Sequence, residues 1–391
     1  MSKIELIATA TFGLEAIVAR EVKNLGYDEM TVEDGRVTFI GDELALCRAN
    51  MWLRTADRVL VKMGSFKATT FEELFEHTRA LPWHEWLPEN ANFPVEGKSV
   101  KSKLFSVPDC QAIVKKAVVE KLKEKYRKEW FAEDGPRYTI EVGILKDTAT
   151  LTVDTSGPGL HKRGYRKLTG EAPLKETLAA AMVTLAHWFH DRVLMDPLCG
   201  TGTIPIEAAL IGLNIAPGIT RKFAAEDWPA IPEVMWRNTR KEAYALIKQE
   251  RHLQIIGTDI NEKAVSLARY HAREAGVDEH IHFQRLPLSQ VRTKSKYGYI
   301  ICNPPYGQRL GETREVETLY REMGRVFANL DTWSYYVLTA YPDFEKFFGR
   351  KADKRRKLYN GRIECQYYQY PGPRPPRRDR VKSGSGETGQ V

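Results

Sequence analysis

The 391-residue sequence is poor in cysteine, with five residues at wide spacing and no Cys-x-x-Cys pair: Cys47, Cys110, Cys199, Cys302 and Cys365. An odd, scattered set excludes a disulfide framework and a zinc ribbon. The nine histidines show no ligand spacing, so we expect no metal site. No segment approaches the ~20 apolar residues of a membrane span, and the N-terminus lacks a signal-peptide core. We therefore expect a cytoplasmic protein that does not enter membranes.

Acidic residues are the minority charge: 59 Lys and Arg against 51 Asp and Glu give a net charge of +8 and a pI near 9.0. Such a surplus fits ordinary solubility and a polyanionic partner equally well. However, basic residues cluster in two stretches: Lys351, Lys354, Arg355, Arg356 and Lys357, and Arg374, Arg377, Arg378, Arg380 and Lys382. Clusters of this kind are typical of a phosphate-binding surface.

Apolar patterning divides the chain into three folded units and a tail. Residues 1–66 and 67–157 mix strand and helix patterns and predict two α+β units; the second includes a strand over Val100–Phe105 and a lysine-rich helix over Pro108–Tyr126. That helix is either a solvated face or an RNA-facing surface. Residues 158–370 alternate strands and helices, which predicts an α/β domain with a mainly parallel, doubly wound sheet. Residues 371–391 predict a disordered basic tail.

The first motif that carries chemistry is a short apolar strand that ends in Asp196, followed by a Gly-x-Gly turn formed by Gly200, Thr201 and Gly202, and then a helix. Glycines permit a tight turn and close approach of the backbone to a ligand. The third glycine of the dinucleotide fingerprint is absent, and no P-loop lysine follows. The motif therefore disfavours a pyrophosphate ligand.

The second motif is the apolar strand Leu253–Thr258, which ends in Asp259 before a helix. A carboxylate in this position can accept hydrogen bonds from both hydroxyls of a ribose. An aspartate here can equally be a helix N-cap, and taken alone the two interpretations are balanced.

The third motif is Asn303-Pro304-Pro305-Tyr306-Gly307 after the apolar strand Tyr297–Cys302. Prolines stiffen the corner and donate no backbone hydrogen bond, so carbonyl oxygens there are free to accept. Two such acceptors can bind both hydrogens of an exocyclic amino group while the base stacks on the Tyr306 ring. The alternative is a rigid turn without a catalytic role.

The three motifs stand in the order that is typical of S-adenosylmethionine-dependent methyltransferases, and the third resembles the amino-methyltransferase signature. Further stretches resemble the THUMP-domain-containing RNA guanine-N2 methyltransferases, in particular their 23S ribosomal RNA branch: His161–Arg166 with Ala172–Ala180, Ile215–Gly218 with Arg221 and Phe223, and Trp83–Pro88. The resemblance covers residues 4 to about 370. It implies a ferredoxin-like domain (1–66), a THUMP domain (67–157) and a Rossmann-like methyltransferase domain (158–370).

The resemblance also implies roles for individual residues. S-adenosylmethionine would be bound by Asp196, Gly200, Thr201, Gly202, Asp259 and Ile260. Asn303, Pro304 and Tyr306 would be catalytic, and Pro305, Gly307 and Arg166 would contact the substrate. The stretch Phe283–Leu288 lacks the acid that many relatives place against the cofactor adenine, and we assign no residue there.

The expected activity is methylation of a guanine N2 amine in structured RNA, either 23S ribosomal RNA or a precursor particle. Alternatives are a transfer RNA guanine-N2 methyltransferase with the same domains and a non-catalytic RNA-binding assembly factor. A protein glutamine methyltransferase would share the third motif, but it would not explain the THUMP-like half. The oligomeric state is open.

Overall fold

The computed structural model describes residues 3–168, 174–307 and 313–376. Its strands are β1 Ile4–Ala10, β2 Met30–Glu33, β3 Arg36–Gly41, β4 Ala56–Lys67, β5 Val95–Val100, β6 Ile140–Leu145, β7 Thr148–Asp154, β8 Leu194–Asp196, β9 Ile255–Asp259, β10 Ile281–Arg285, β11 Tyr299–Cys302, β12 Ser334–Thr339, β13 Lys354–Asn360 and β14 Ile363–Tyr370. Its helices are α1 Glu15–Asn24, α2 Glu43–Trp52, α3 Phe71–Ala80, α4 Val107–Tyr126, α5 Glu176–Leu185, α6 Thr203–Gly212, α7 Glu233–Ala245, α8 Glu262–Glu274, α9 Thr313–Ala328 and α10 Phe344–Phe348. The predicted tail beyond residue 376 and the segment Ala172-Pro173 lie outside the described residues.

The two N-terminal units share one seven-stranded sheet, in the order β2-β3-β1-β4-β7-β6-β5. Strand β4 joins them, because its first half, up to Val61, pairs with β1, and its residues from Leu60 to Lys67 pair with β7. The predicted division between residues 66 and 67 falls at the end of this shared strand. Helix α3 follows at once, capped by Thr70 with Glu73 in a reciprocal capping box.

One strand of the second unit was predicted in the wrong place. The strand is Val95–Val100 rather than Val100–Phe105, and it pairs in parallel with β6. Its Glu-Gly-Lys-Ser centre lacks the apolar alternation of a half-buried strand. Gly97 is nevertheless suited to the position, because a Cβ there would lie 3.1 Å from both Val107 and Gln111 of α4. The packing of α4 therefore determines this strand, and local pattern does not.

The C-terminal domain has a second seven-stranded sheet, in the order β10-β9-β8-β11-β12-β14-β13. Strands β10, β9, β8, β11 and β12 are parallel, and β14 and β13 are antiparallel additions at one edge. The mainly parallel doubly wound sheet is thus confirmed. The chain runs outward from β8 to β10 and then returns to β11 on the other side of β8. This reversal creates a crevice at the carboxyl ends of the strands.

The N-terminal units and the methyltransferase domain are packed together through buried groups. Glu207 of α6 and Arg163 are 0% and 3% exposed and form an ion pair with a 3.2 Å separation between Nη2 and Oε2. Tyr165 donates a hydrogen bond to Glu207, and Arg163 also donates to the backbone carbonyl of Arg54 in the first unit. Helix α6, which follows the Gly-x-Gly turn, is therefore anchored to the N-terminal half of the chain.

Candidate active site

The three sequence motifs meet at the carboxyl edge of the second sheet. A cleft of about 440 Å³ opens there, and four of the predicted residues line it: Asp196, Gly200, Thr201 and Asn303. Asp196 is the last residue of β8, and Asn303 follows the neighbouring strand β11. The cofactor motif and the predicted catalytic corner therefore share one cavity.

The first two motifs are also linked directly. The Asp259 carboxylate accepts hydrogen bonds from the backbone N–H groups of Gly200 (2.9 Å) and Asn261 (2.9 Å). Each bond uses one lone pair of one oxygen, so both oxygens keep acceptor capacity for the hydroxyls of a ribose. Asn261, not Asp259, caps α8, since its side chain accepts from the N–H groups of Lys263 and Ala264. The N-cap alternative for Asp259 is therefore wrong.

Ile260 directly follows Asp259, and Gly202 lies two residues after Gly200. The two residues have different surroundings. The Ile260 side chain is 64% exposed beside Asp259, which suits an apolar surface that a flat ligand would cover. Gly202 adopts φ +82°, and a Cβ there would lie 2.9 Å from both Ala268 and Phe283. Gly202 thus permits close packing of the turn on α8 and β10, and it does not line the cleft.

Asp196 carries a carboxyl group that is almost completely buried at the base of the cleft. Burial raises its pKa well above the usual range, and the charge of Asp259 acts in the same direction. Its one described hydrogen bond comes from the Leu198 N–H, at 3.2 Å. A buried carboxyl with spare acceptor capacity is suited to a cationic group, which would favour its ionised form.

We predict that binding of S-adenosylmethionine releases a proton from Asp196. The ammonium and sulfonium charges of the ligand lower the pKa of the carboxyl, so between its free and bound pKa values the proton leaves and affinity rises with pH. Calorimetry at one pH in buffers of different ionisation enthalpy measures this release. Asp196→Asn is the control, because it removes the titrating group. Equal heats in all buffers for the wild type would contradict the prediction.

The Asn-Pro-Pro-Tyr corner is held from both sides. Tyr306 donates its hydroxyl hydrogen to the Asn303 Oδ1, which keeps its second lone pair. The Tyr306 ring is part-buried against the core below α5 and α6, and burial raises the pKa of its hydroxyl. Pro304 is buried, and among the described residues no N–H or O–H group donates to its carbonyl. Within the described residues, one acceptor of the corner is thus unused and the other is half-used.

A contact that sequence reasoning missed fixes the corner from behind. The hydroxyl of Tyr320, on α9, donates to the Pro305 carbonyl at 2.8 Å and lies 2.8 Å from the Thr339 hydroxyl. Because the Pro305 carbonyl can only accept, Thr339 must donate to Tyr320. The Thr339 oxygen in turn accepts from the Tyr341 N–H at 3.1 Å. Tyr320 is fully buried and stands outside any motif, so only the fold brings it here.

Arg166 is placed differently from its prediction as a substrate contact. Its guanidinium donates to Glu176 (3.1 Å) and to the Leu174 carbonyl (3.0 Å), and its side chain is only 9% exposed. Arg166 therefore positions the start of α5, and its contact with the substrate stays a prediction. Of the remaining predicted contacts, Pro305 is exposed, and Gly307 adopts φ +70°, which suits a glycine.

Several residues that line the cleft were assigned no role in it from the sequence: Leu174, Leu198, Cys199, Thr203, Ile204, Asn261, Lys263, Ala264 and Leu267. Burial raises the pKa values of the Cys199 and Cys302 thiols, which keeps them protonated and unsuited to nucleophilic chemistry.

Within residues 3–168, 174–307 and 313–376, no group of three or more His, Cys, Asp and Glu side chains is arranged to hold a metal ion. Over the same ranges no helix has the length and apolar character to cross a membrane.

Sheet order, cleft position and motif arrangement define the class: a Rossmann-like domain of the S-adenosylmethionine-dependent methyltransferases behind a THUMP-type N-terminal half. Family models agree over nearly the whole chain. The ferredoxin-like domain of the RlmL type matches residues 5–60, the THUMP domain matches 68–154, and the RMKL-like methyltransferase domain matches 163–369. The chain belongs to this RMKL-like methyltransferase family, as the sequence resemblance predicted.

Curated relatives extend along the whole chain. It is 53% identical over 385 residues to the Bacillus subtilis protein named "Putative RNA methyltransferase YpsC", covering 98% of this chain and 100% of that one. It is 35% identical to "Ribosomal RNA large subunit methyltransferase K/L" of Syntrophotalea carbinolica, with 94% of this chain matched to 53% of that protein. The chain thus spans about half of the latter relative.

Solved structures confirm the fold. A Listeria monocytogenes protein described as a "predicted N6-adenine-specific DNA methylase" has a TM-score of 0.92 at 54% identity, covering 95% of this chain and 97% of that one. SMU.472, described as "a putative methyltransferase", has a TM-score of 0.91 at 46% identity, covering 96% of this chain and 100% of that one, and was solved with S-adenosylhomocysteine, the demethylated cofactor. The predicted cofactor, S-adenosylmethionine, is therefore confirmed, and the Asp196 and Asp259 carboxylates fit it as hydrogen-bond acceptors.

We predict that Asp259→Ala lowers the affinity for S-adenosylmethionine about tenfold or more, because hydrogen bonds to a charged acceptor contribute about 1.5–3 kcal/mol each. The substitution also frees the Gly200 N–H from its carboxylate partner. Asp259→Asn keeps one carbonyl acceptor, so its cofactor affinity should fall between those of the wild type and the alanine variant. Calorimetric titration measures the change, and wild-type affinity in the alanine variant would exclude the ribose-binding role.

Proposed function

We propose that this protein transfers a methyl group from S-adenosylmethionine to the exocyclic N2 amine of a guanine in 23S ribosomal RNA. The observation that carries the proposal is the position of Asn303. Its side chain lines the same 440 Å³ cleft as Asp196, Gly200 and Thr201. An amine acceptor and a cofactor site in one cavity are what an in-line transfer to nitrogen requires.

The chemistry of the target explains why carbonyl oxygens suit this corner. The nitrogen of an aromatic amine is a poor nucleophile, because its lone pair is delocalised into the ring. The Asn303 side-chain carbonyl and the Pro304 backbone carbonyl would accept one N–H hydrogen each. Such a pair favours a pyramidal nitrogen with a localised lone pair, so no strong base is needed before transfer.

The remaining steps are orientation and proton release. When bound, S-adenosylmethionine supplies an electrophilic methyl group on a positively charged sulfur. Asp259 would fix the ribose end of the donor, and Asp196 would balance the positive charge of its methionine end. Tyr306 would support the flipped base beside Asn303. After transfer the nitrogen carries an extra hydrogen, which it gives up to water.

An RNA substrate is supported by the N-terminal half and by the relatives. The THUMP domain over residues 68–154 supplies a second module beside the catalytic domain. A relative that is 35% identical is named as a large-subunit ribosomal RNA methyltransferase. Lys115, Lys121 and Lys123 of α4 pair with glutamates, which favours the solvated-face interpretation of that helix. The proposed setting is the cytoplasm, where ribosomal RNA is assembled.

The deciding experiment is mass mapping of ribosomal and transfer RNA from a strain in which the gene is deleted. The proposal predicts that one N2-methylguanine disappears from 23S RNA and returns when the gene is restored. Loss of a methylguanine from transfer RNA would favour the alternative substrate. Loss of an N6-methyladenine would contradict the guanine assignment.

Reconstitution separates an enzyme from an assembly factor. Purified wild-type protein with radiolabelled donor should label 23S RNA from the deletion strain and should not label RNA from the parent strain, which is already modified. Naked RNA and precursor particles, tested side by side, identify the substrate form. Restoration of growth by an Asn303→Ala variant without any labelling would favour the assembly factor.

A further inference from the structure

A second cavity, which shares no lining residue with the cofactor cleft, lies at the opposite end of the same sheet. It has a volume of about 950 Å³, and its floor includes Tyr299 and Ser334, the first residues of β11 and β12. The cofactor cleft opens beyond the last residue of β11. At about 3.3 Å per residue, this four-residue strand separates the two by roughly 13 Å. We call the second cavity the basic groove.

The basic groove is lined by positive charge without negative charge. Its nineteen lining residues include no Asp or Glu and five cations: Arg192, Lys354, Arg355, Arg356 and Arg374. Arg355 is paired with Glu345, and Arg192 lies 3.9 Å from Asp191. Arg356 donates only to a neutral acceptor, the Gly13 carbonyl. Lys354 and Arg374 have no carboxylate partner in the described part of the chain. At least three charges are therefore uncompensated.

An exposed aromatic ring accompanies these charges. Phe189 lines the groove and is 63% exposed, although the neighbouring Trp188 is buried. Tyr299, on the floor, stacks on the buried Tyr336, with ring centroids 6.3 Å apart. A cationic groove that carries an accessible ring such as Phe189 is the usual arrangement for single-stranded nucleic acid, because phosphates pair with the cations and a base stacks on the ring.

Neither protection of a sheet edge nor occupation by the chain's own C-terminus accounts for the groove. Basic residues protect an exposed edge strand against pairing with another chain, and β13 is such an edge. However, Phe189 and Arg374 do not belong to β13, so edge protection does not account for them. The chain's own C-terminal residues are poor occupants, because the sequence after Pro376 adds Arg377, Arg378 and Arg380, which have the same sign of charge as the groove.

We propose that the basic groove binds a single-stranded segment of the RNA substrate, at a site separate from the cofactor cleft. This inference rests on the proposed RNA substrate. An RNA bound at both places would pass around the edge of the methyltransferase domain, with its target base in the cleft and a neighbouring single strand in the groove. The groove would increase the affinity for RNA and help to position the target base, and it would take no part in methyl transfer.

The test uses the full-length protein and a fluorescein-labelled oligouridine of about 12 nucleotides, a length within the usual range for one binding domain. Lys354→Glu/Arg374→Glu should weaken binding about tenfold or more at low salt, and losing two phosphate contacts should reduce the salt slope by about 1.4. Phe189→Ala should weaken binding at least about fivefold, through lost stacking, with little change in the slope. Fluorescence anisotropy over a salt series measures both quantities.

The matched control is Arg237→Glu/Lys241→Glu, which makes the same change in charge at two exposed positions one turn apart on α7. It should alter affinity by less than about twofold if local contacts, and not net charge, hold the strand. Equal losses in the control and groove variants would overturn the proposal, as would unchanged binding in both groove variants. Displacement by polyglutamate as effective as by unlabelled RNA would also overturn it, in favour of an acidic protein partner.

Two parallel measurements keep this test independent of the proposed function. Calorimetry with S-adenosylmethionine should give wild-type affinity for every groove variant, which shows that the catalytic domain is folded. Labelling of 23S RNA from the deletion strain reports the proposed function itself. If the wild type binds oligouridine through the groove but labels no RNA, the proposed function fails and the assignment of the groove as an RNA-binding site stands. If it labels RNA and the groove variants bind normally, only the groove assignment fails.

Discussion

Asn303→Ala should reduce the rate of methyl transfer by about 10²- to 10³-fold while leaving the affinity for S-adenosylmethionine nearly unchanged. The side-chain carbonyl of Asn303 is one of two acceptors at the corner, and it acts on the amine as the nitrogen changes geometry. Its loss is therefore felt in the transition state more than in the ground state. Single-turnover labelling of 23S RNA from the deletion strain measures the rate, and calorimetry measures cofactor affinity.

Tyr306→Phe is the matched control for this prediction. It removes the hydroxyl that donates to the Asn303 Oδ1 and keeps the aromatic ring. If the ring supports the base, the variant should lose less than about tenfold in rate, the value of one ordinary hydrogen bond. An Asn303→Ala enzyme that transfers methyl groups at the wild-type rate would remove Asn303 from the mechanism.

The sequence predicted those parts of the site that depend on local chemistry. The strand ends at Asp196 and Asp259 and the corner at Asn303 could be found because each joins an apolar strand to residues of unusual type. The proximity of the three follows from a rule of topology, since carboxyl ends of parallel strands share one edge of the sheet. The N-cap alternative for Asp259 was excluded only by seeing that Asn261 caps α8, and the ribose-binding role stays a prediction.

Residues that act through packing could not be predicted. Tyr320 reaches the corner from a helix, and Gly202 meets the Phe283 ring from a strand whose pattern was missed. Strand β13 was missed for a related reason. Four of its first five residues are basic, the exception being Leu358, and the sequence analysis interpreted them as a phosphate-binding cluster. That interpretation and the strand are compatible, because the basic residues lie on an edge strand beside the groove. Lys354, Arg355 and Arg356 line the groove, and Lys357 pairs with Glu364.

Arg166 is the converse case: the family resemblance implied a substrate contact, whereas the fold gives its charge a partner within the protein. His161–Arg166 contains three basic residues besides its histidine, and the fold uses two of them internally. Arg163 is buried against Glu207, and Arg166 pairs with Glu176. The matching glutamates lie 44 and 10 residues away along the chain, so spacing gives no indication of the pairs.

Glu207→Ala should lower the free energy of unfolding by about 3–5 kcal/mol, because it leaves the Arg163 guanidinium buried without its counter-ion. Arg163 is 3% exposed and donates two hydrogen bonds to the Glu207 carboxylate, at 3.3 and 3.2 Å. Tyr165 loses its acceptor as well. Urea unfolding followed by circular dichroism measures the change. A loss below about 1 kcal/mol would place the pair among weak surface bridges and contradict its burial.

The double variant Arg163→Met/Glu207→Leu tests whether the loss comes from the unpaired charge. Apolar replacements of a buried pair are often close to neutral, so the double variant should be more stable than the sum of the single changes predicts, by up to about 3 kcal/mol. Some loss should remain, since Arg163 also donates to the Leu160 and Arg54 carbonyls. Because Glu207 lies on the helix that begins after Gly202, we expect the single variant also to weaken cofactor binding. Recovery of that binding in the double variant would show that the buried pair links the N-terminal half to the cofactor turn, whereas strictly additive losses would show that the two residues act independently.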